Sequence, residues 1–214
     1  MRLYSYFRSS ASYRCRIALN LKGLKYEMAF IHLLKDGGQQ HSDTYKALNP
    51  QAQVPTLEND GAVLTQSIAI MEYLDEIRPE PPLLPPGPVG RAHARAFALA
   101  IACDIGPINN LKVLRYLKRS LKQDQEAIDA WVRRWAEGGL LACERLLPAE
   151  PTRYCFGDQP TIADICLVPQ MYNARRFNSD LSAVPRLVAI DAACREHPAF
   201  AAAAPEVQPD AVPA

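Results

Sequence analysis

The chain passes from a short apolar strand into a helix through Arg-Ser-Ser-Ala-Ser-Tyr-Arg-Cys-Arg-Ile-Ala-Leu-Asn-Leu-Lys-Gly, residues 8–23. Three serines occupy this junction: Ser9, Ser10 and Ser12. Small hydroxyls are favoured at the start of a helix because they accept hydrogen bonds from unpaired N–H groups of the first turn. The same N–H groups suit an anion, and a thiolate bound there would have a lowered pKa. Taken alone, the segment is more typical of a serine-capped helix without a ligand.

The composition is that of an ordinary globular protein. The 214 residues are 49% hydrophobic and 22% charged, and the formal net charge of +1 gives no support for binding to nucleic acid or to a membrane surface. We expect no membrane span, because no apolar run approaches the roughly 20 residues that a span needs. The first residues carry no apolar signal core, so we expect no secretion.

The cysteines and histidines predict neither a metal site nor a disulfide framework. Six cysteines are present: Cys15, Cys103, Cys143, Cys155, Cys166 and Cys194. Their spacing fits no zinc motif, and most lie within apolar helical patterns, where a thiol packs as a small hydrophobe. The four histidines are scattered along the chain. We therefore expect reduced cysteines, no metal and a cytoplasmic location.

The first 80 residues predict an α/β domain of order β-α-β-α-β-β-α. The predicted strands cover residues 3–7, 26–31, 53–57 and 62–65, and the predicted helices cover residues 12–22, 42–48 and 66–77. Pro55 has no N–H to donate and therefore belongs at the start of a strand or at an edge. A turn at Asn59-Asp60-Gly61 predicts a hairpin. This order favours a mixed four-stranded sheet covered by helices.

The remainder of the chain predicts an all-helical domain. Six prolines between residues 78 and 88 indicate a linker, so we assign domains to residues 1–80 and 90–214 with a linker at 78–89. Helices are expected at residues 90–116 with a kink near Gly106, at 125–147, from a Thr161–Asp164 capping box through 168, and at 186–195. Trp131 and Trp135 are expected to pack in the core, and the tail from Pro205 is expected to be loose.

A set of short motifs runs through both predicted domains. They are Ser9-Ser10-Ala11-Ser12-Tyr13-Arg14 with Arg16-Ile17-Ala18-Leu19, Lys35-Asp36-x-Gly38-Gln39-Gln40, Ala47-Leu48-Asn49-Pro50, Gln53-Val54-Pro55-Thr56-Leu57, Gln66-Ser67, Gly157-Asp158 and Leu167-Val168-Pro169-Gln170. Together they resemble the zeta class of the cytosolic glutathione transferases, which includes the maleylacetoacetate and maleylpyruvate isomerases. The resemblance covers essentially the whole chain.

The resemblance implies a thioredoxin-like α/β N-terminal domain, an all-α C-terminal domain and glutathione as the cofactor. It implies a cis peptide before Pro55, with the Val54 backbone pairing with the tripeptide like an added strand. Gln66 and Ser67 would hold the γ-glutamyl carboxylate, and Gln40 would contact the glycyl end. Asn110 is carried over as a further glutathione contact.

The resemblance also implies catalytic and substrate-binding roles. The serine turn would receive the sulfur, with Ser9 as the first candidate and Ser10 or Ser12 as the second. Arg8 and Arg176 are expected to bind the carboxylates of a small dicarboxylate substrate, since arginine suits carboxylates geometrically. Arg176 lies in Asn173-Ala174-Arg175-Arg176-Phe177, similar to the family's Asn-Ala-x-Arg-Phe, and Arg175 is expected to face solvent.

Four further positions carry expectations of their own. Ala11 replaces the cysteine of the family motif, and Gly106 stands where relatives tend to carry a polar side chain that reaches glutathione. Cys15 lies one turn deeper in the helix and is expected to face the core. Arg14 and Arg16 are left as candidates for structural ion pairs.

Three functions remain open on the sequence. The first is a glutathione-dependent cis–trans isomerase of maleylacetoacetate or maleylpyruvate in aromatic catabolism, acting by reversible thiolate addition. The second is a related transferase or dehalogenase that accepts small α-halo acids. The third is a catalytically silent module used for protein contacts. A homodimer is expected from the resemblance alone.

Overall fold

The computed structural model describes residues 1–212 and divides into two compact units. The first unit contains residues 1–83 and the chain from His197 onward, and the second contains residues 84–196. The sequence placed the segment from His197 in the helical domain. In the structure this segment packs within the first unit, because Arg16 Nε donates to Ala203 O at 3.0 Å and Asp210 accepts from the Phe7 N–H at 2.9 Å.

The first unit is built on a mixed four-stranded sheet, as predicted. Its strands are β1 (Arg2–Ser5), β2 (Glu27–Phe30), β3 (Thr56–Asn59) and β4 (Ala62–Thr65), in the order β2-β1-β3-β4. Strand β1 is parallel to β2 and antiparallel to β3, and β3 and β4 form the predicted hairpin. Leu3 and Leu57 face each other across β1 and β3 and are fully buried, so they fix the register of the central pair.

Three helices within residues 1–83 accompany the sheet: α1 (Ser10–Leu21), α2 (Asp43–Leu48) and α3 (Ser67–Ile77). A further short helix, Pro198–Ala201, packs against α1. Helix α1 packs against α3 and buries Cys15, as expected, together with most of its other side chains. Short 3-10 turns at Lys35–Gly37 and Gln39–His41 connect β2 to α2. Strand β1 is shorter than predicted because the chain leaves the sheet at Tyr6 and turns into α1.

The second unit is helical, as predicted. Its helices are α4 (Pro88–Leu99), α5 (Leu111–Arg119), α6 (Gln125–Leu146), α7 (Ile162–Arg176) and α8 (Pro185–Glu196). A π-helical turn at Ala100–Ile105 and a single helical turn at Gly106–Ile108 separate α4 from α5. In place of the predicted kink the structure has a π-helical turn just before Pro107, a residue that has no N–H to donate. A break in the helix follows at Asn109 and Asn110.

Helix α7 begins at the predicted capping box. The Thr161 hydroxyl accepts from the Ala163 N–H at 3.3 Å, and Asp164 accepts from the Thr161 N–H at 2.8 Å. The helix continues through Pro169 to Arg176, eight residues beyond its predicted end at 168. The lost hydrogen bond at Pro169 is tolerated because residues 162–171 are all buried, so packing outweighs the local cost.

The two tryptophans of α6 pack edge to face with ring centroids 5.7 Å apart. Trp131 is half-buried and donates from Nε1 to Ile108 O at 3.2 Å, consistent with the predicted core role. Trp135 is 40% exposed and lies at the surface of the chain, so the same prediction is wrong for this residue. Its position one helical turn along α6 places it at the edge of the packed face.

The predicted loose tail is wrong for residues 205–212. Pro205 is buried and begins a 3-10 turn, Pro205–Val207. The side-chain amide of Gln208 then donates to Ala202 O at 3.0 Å and to Ala204 O at 2.8 Å. Prolines restrict the chain but do not prevent it from packing, and here these amide hydrogen bonds order it. Pro213, the last proline of the predicted tail, lies outside the described residues.

One stretch, Pro88–Arg119, is long and apolar enough to cross a membrane on length and composition alone, which the sequence reading did not anticipate. It contains α4, the π-turn and α5, and it is interrupted at Asn109 and Asn110. Only 22% of its most apolar window is buried within the chain. A single segment of this kind is weak evidence for membrane insertion.

Candidate active site

The serine turn begins where β1 releases the chain at Tyr6. Ser9 is the N-cap of α1 in an extended conformation, and its Oγ accepts from the Ser12 N–H at 3.2 Å. Because Oγ acts as an acceptor in this bond, its own hydroxyl hydrogen is available to a ligand. The positive end of the α1 dipole lies at the same point. This turn can therefore donate hydrogen bonds to an anion.

The three predicted serines differ in exposure. Ser9 and Ser10 are half-buried, whereas Ser12 is fully buried and its Oγ has no hydrogen-bond partner within residues 1–212. Ala11 is also half-buried. Ser9 and Ser10 are thus the hydroxyls that a ligand can reach from outside, and Ser12 is the one that faces the interior of the turn.

A second predicted pair opens α3. Gln66 has φ 68° and ψ 117°, a conformation that non-glycine residues rarely adopt, and its side chain does not cap the helix. Its Nε2 instead donates to Gln51 Oε1 at 2.6 Å. Ser67, the first residue of α3, is buried, and its hydroxyl accepts from Arg14 Nη1 at 3.3 Å. The first-turn N–H groups and the Arg14 charge together suit a carboxylate.

The predicted cis peptide is present between Val54 and Pro55. Val54 is buried in a cluster with Tyr6, Phe7 and Tyr45, which places it beside the turn that leads to Ser9. Within residues 1–212, neither the N–H nor the C=O of Val54 takes part in a hydrogen bond. Backbone groups at a largely buried position are normally paired, so both are suited to a peptide ligand.

Gln40 lies in the second 3-10 turn and is buried. Its Nε2 donates to Leu33 O at 3.4 Å and lies 3.2 Å from His41 Nε2. Its Oε1 is buried without a partner within residues 1–212. An unpaired buried acceptor costs on the order of 1–3 kcal/mol, which a donor on a ligand would recover.

Arg8 follows directly from β1 and precedes the serine turn. It is half-buried, its guanidinium stacks over the Phe7 ring at 5.0 Å, and its Nη2 donates to the Tyr6 hydroxyl at 3.4 Å. These two contacts restrain the guanidinium of the residue that precedes Ser9, and together they use one of its N–H donors. Arg8 is therefore a suitable cation for an anionic substrate.

The remaining predicted residues belong to the second unit. Arg176 ends α7, is exposed, and stacks over the Phe177 ring at 4.6 Å. Arg175 was predicted to face solvent, and this prediction is wrong: its Nη2 lies 2.7 Å from the fully buried carboxylate of Asp191. Asn110 is the N-cap of α5, where its Oδ1 accepts from the Lys112 N–H at 3.0 Å.

The sequence reading missed four polar residues around these sites. Arg14 and Arg16 were expected only as ion-pair candidates, but Arg14 reaches Ser67, and Arg16 donates to Phe7 O at 2.9 Å. Asp210 accepts from the Phe7 N–H, and both polar atoms of the Asn109 side chain are buried without partners within residues 1–212. Arg14 and Arg16 lie in a motif, so the sequence offered a signal for these two residues. It offered none for Asp210 or Asn109, whose surroundings depend on distant segments of the chain.

The polar groups of the first unit fit glutathione. A carboxylate site at α3, two unpaired backbone groups at Val54, an unpaired acceptor at Gln40 and a hydroxyl donor at Ser9 match the functional groups of a γ-glutamyl tripeptide thiol. Hydrogen bonds link the parts of this set: Arg14 joins α1 to α3, and Gln51 joins the segment before Val54 to Gln66.

Comparisons with known proteins agree with this arrangement. Residues 1–76 match the family model for the glutathione S-transferase N-terminal domain. A maleylpyruvate isomerase from Ralstonia sp is 50% identical over 213 residues, which cover 98% of this chain and 99% of that protein.

Solved structures give the same picture. A holo maleylpyruvate isomerase, described as a bacterial glutathione S-transferase of the zeta class, has a TM-score of 0.95 at 49% identity and covers 99% of this chain and 100% of its own. A maleylacetoacetate isomerase from Anaeromyxobacter dehalogenans 2CP-1, solved with dicarboxyethyl glutathione and citrate in its active site, has a TM-score of 0.86 at 43% identity, with 99% and 97% covered. The likeness therefore extends over the full chain.

Proposed function

The chain belongs to the zeta-class glutathione transferases, and we propose that it catalyses the glutathione-dependent cis–trans isomerisation of maleylacetoacetate or maleylpyruvate in aromatic catabolism. The observation that carries this proposal is the set of polar groups around the serine turn, which suits a peptide thiol. Ala11 lies within this turn, so the chain acts without the cysteine of the family motif.

Glutathione, when bound, supplies a thiolate that adds reversibly to the cis double bond, so that the bond becomes single and can rotate. Ser9 donates its free hydroxyl hydrogen toward the sulfur, and the α1 N-terminus adds its dipole. A free thiol with a pKa of about 8.5 is only a few per cent ionised near pH 7. Lowering that pKa by about two units corresponds to about 2.7 kcal/mol and makes the thiolate dominant.

The other residues of the first unit orient the cofactor. The α3 N-terminus, with Gln66 and Ser67, holds the γ-glutamyl carboxylate, and Val54 pairs with the tripeptide backbone. Gln40 offers its unpaired Oε1 to a donor near the glycyl end. Asn110 of the second unit is proposed as a further contact.

Arg8 and Arg176 bind the two ends of the dicarboxylate substrate. Each stacks on a neighbouring phenylalanine, Phe7 or Phe177, which restricts the guanidinium before substrate arrives. When the thiolate of bound glutathione adds, negative charge would develop on the conjugated carbonyl of the substrate, and the two guanidinium groups would stabilise that charge. The ligand of the Anaeromyxobacter relative supports a small dicarboxylate as the substrate class, because dicarboxyethyl glutathione is the expected product of adding the glutathione thiol across a four-carbon cis-ene diacid.

The test is to follow the loss of maleylpyruvate and maleylacetoacetate absorbance with and without glutathione. Rapid glutathione-dependent isomerisation by the wild type, lost in Ser9→Ala, is the expected result and also names the preferred diacid. Activity on α-halo acids with neither diacid converted would establish the dehalogenase alternative instead. Flow-through from glutathione resin would support the silent module.

We also infer a homodimer in the cytoplasm that does not insert into a membrane. Val89 and Leu99 of α4 are 66% and 41% exposed, and Ala92 and Ala96 lie exposed between them at helical spacing. Val63 of β4 is a further exposed apolar residue, in the first unit. Large exposed apolar side chains favour burial against a second copy of the chain. Such burial would also account for the exposed apolar residues within Pro88–Arg119.

Light scattering coupled to size exclusion tests the dimer. We expect about twice the 23.7 kDa chain mass for the wild type and a shift toward the single-chain mass for Leu99→Glu. Val207→Glu, an exposed apolar residue elsewhere, serves as the matched control. A wild-type mass near 23.7 kDa, or recovery in the membrane fraction, would contradict the inference.

The two-domain assignment is likewise a proposal. We infer that residues 1–80 bind glutathione and that the helical region from residue 90 carries a substrate ligand at Arg176. Support comes from the division of the chain after Leu83, within the proline-rich linker. Limited proteolysis with cleavage confined to the linker would be the expected result.

A further inference from the structure

Charged side chains hydrogen-bond to both backbone polar groups of Phe7. Its N–H donates to Asp210 Oδ2 at 2.9 Å, and its C=O accepts from Arg16 Nη2 at 2.9 Å. Phe7 immediately precedes Arg8 and Ser9, the proposed substrate ligand and thiolate donor. Hydrogen bonds to charged groups are roughly twice as strong as neutral ones, so this peptide is the most firmly held point before the turn.

Arg16 is fully buried and joins three segments of the first unit. Its Nε donates to Ala203 O at 3.0 Å and its Nη1 donates to the Ser5 hydroxyl at 3.1 Å, in addition to its bond to Phe7. Burial lowers the pKa of Arg16 to about 10, and the Asp210 charge opposes that shift. A buried guanidinium is tolerated only when its donors are paired, so this arrangement fixes Ser5, Phe7 and Ala203 relative to one another.

The C-terminal segment, defined here as residues 203–211, is itself ordered. Gln208 donates from its side chain to the carbonyls of Ala202 and Ala204, and the Ala211 N–H donates to Gln208 O at 2.9 Å. Ala211 packs against the cluster of Tyr6, Phe7, Tyr45 and Val54. The segment therefore holds Asp210 in place beneath the turn and also supports Val54.

We propose that the C-terminal segment is a positioning element of the active site, in which Asp210 sets the Phe7 peptide and thereby aims the Arg8–Ser9 turn at the sulfur. This inference rests on the proposed function. Within residues 1–212 the side chains of Asp210 and Arg16 hydrogen-bond to Phe7, Ser5, Tyr6 and Ala203 and to none of the proposed ligand-binding residues, so we assign them as positioning residues and not catalytic ones. They act on the thiolate by fixing the backbone from which Ser9 and the α1 N–H groups donate.

The sign of the effect separates positioning from simple electrostatics. Asp210 carries a negative charge close to the turn, so removing it would by charge alone favour the thiolate and lower its pKa. Loss of positioning would instead weaken the donors and raise that pKa. The ionisable groups that surround Phe7 and Arg16 include Arg8, Tyr6, Tyr13, Cys15, Tyr26, His32 and Tyr45, and all of them stay unchanged in the variants below.

Two substitutions at Asp210 exploit this difference. Asp210→Asn removes the charge but keeps an oxygen acceptor for the Phe7 N–H, whereas Asp210→Ala removes both. Glu206→Gln removes a charge from an exposed neighbour in the C-terminal segment and is the matched control. A truncation after Gln208 keeps the Gln208 bonds to Ala202 and Ala204 and removes both Asp210 and Ala211, which packs against the cluster that contains Phe7 and Val54.

Three readouts are compared in the full chain. Ultraviolet thiolate absorbance of bound glutathione gives its thiol pKa, isomerase kinetics give kcat and KM separately, and amide hydrogen exchange of the apo protein reports on the Phe7 N–H. For Asp210→Ala and the truncation we expect a thiol pKa about one unit higher, about tenfold lower kcat with little change in glutathione KM, and about tenfold faster Phe7 exchange. Asp210→Asn should keep kcat and Phe7 exchange close to the wild type with a thiol pKa no higher than that of the wild type, and Glu206→Gln should match the wild type in all three readouts.

The outcomes distinguish this inference from the proposed function. If the wild type lowers the thiol pKa and Asp210→Ala leaves both that pKa and Phe7 exchange unchanged, or lowers the pKa, the positioning role is overturned while the function stands. If wild-type glutathione shows no thiolate at neutral pH, the proposed function fails and the inference falls with it. Circular dichroism checks folding, and an Asp210→Ala that fails to fold leaves the truncation to decide.

Discussion

Arg14 Nη1 donates a hydrogen bond to the hydroxyl of Ser67 over 3.3 Å, joining the first helix of the chain to the residue that opens α3. Both residues are buried, and the bond between them forms without a ligand. The bond places a guanidinium at the N-terminus of α3, where helix dipole and cation act together on a carboxylate. The N-terminus of α3, which we propose as a carboxylate site for glutathione, thus combines two residues that lie 53 positions apart in the sequence.

The Arg14–Ser67 pair should act as one unit in glutathione binding. We expect Arg14→Met to weaken glutathione affinity about tenfold, since a charged hydrogen bond contributes about 1.5–3 kcal/mol, while kcat changes little. Ser67→Ala should cost about as much, and the double variant should lose far less than the sum. Calorimetric titration of all three against the wild type measures the coupling. Strictly additive losses would show that the two residues act independently.

Gln66 should trade stability for binding. Its φ of 68° costs on the order of 1–3 kcal/mol in a residue with a Cβ, and glycine removes most of that cost. We expect Gln66→Gly to raise the free energy of unfolding by about 1 kcal/mol and to weaken glutathione binding at least tenfold. Gln51→Ala, which removes only the side-chain partner of Gln66, is the control and should leave stability nearly unchanged. Denaturant unfolding and glutathione titration measure the two effects, and a destabilised Gln66→Gly would contradict this prediction.

The adjacent arginines at the end of α7 should have separate roles. Arg175 and Arg195 pair with the buried Asp191 at 2.7 and 3.2 Å, and burial raises the pKa of that carboxyl while the two cations oppose the rise. Arg175→Ala should therefore lower the free energy of unfolding by about 2 kcal/mol or more, because it strips a partner from a buried charge. Arg176→Ala should leave stability within about 0.5 kcal/mol and raise the diacid KM about tenfold or more.

Thermal unfolding and steady-state kinetics on both variants measure this contrast. Because the two residues are neighbours of identical chemistry, each serves as the control for the other. A normal diacid KM in Arg176→Ala would remove Arg176 from the substrate site, and unchanged stability in Arg175→Ala would show that Arg195 alone satisfies Asp191.

Buried thiols should make the protein less stable in alkali. Burial raises the pKa of Cys143 from 9.0 to about 12, and burial likewise raises the pKa of Cys155 and of Cys194. The unfolded state releases these protons above about pH 9 while the folded state keeps them, so their contribution to stability is complete below pH 9 and declines above it. Each thiol should lower the free energy of unfolding by about 1 kcal/mol between pH 9 and pH 10.

Denaturant unfolding at pH 8, 9 and 10 measures this slope. Cys143→Ala should reduce the loss between pH 9 and 10 by about 1 kcal/mol, whereas alanine at the exposed Cys103 should not alter it. Arg16, whose pKa burial lowers to about 10, acts in the opposite direction, and Tyr26 and Tyr45, whose pKa burial raises, act in the same direction as the thiols. The difference between the two alanine variants therefore isolates Cys143, since these other groups are common to both. Equal slopes in the two variants would disprove the assignment.

The sequence by itself determined the elements and the family. Turn-forming and capping residues predicted the hairpin at Asn59-Asp60-Gly61, the capping box at Thr161 and the helix end at Gly23. These signals are local and depend on backbone chemistry alone. The motif set then identified the zeta class, and from it the placement of glutathione at Ser9 and Gln66 is predicted.

Only the tertiary structure decided the contacts that cross long stretches of chain. The order of the C-terminal segment depends on Asp210 meeting Phe7, 203 positions away, and no local pattern near Pro205 or Pro209 reports that contact. The continuation of α7 through Pro169 and the exposure of Trp135 have the same origin, since packing from distant elements overrides local preference. The residues expected to bind ligand were readable in sequence, and the residues that hold them in place were not, because support is a property of the packed chain.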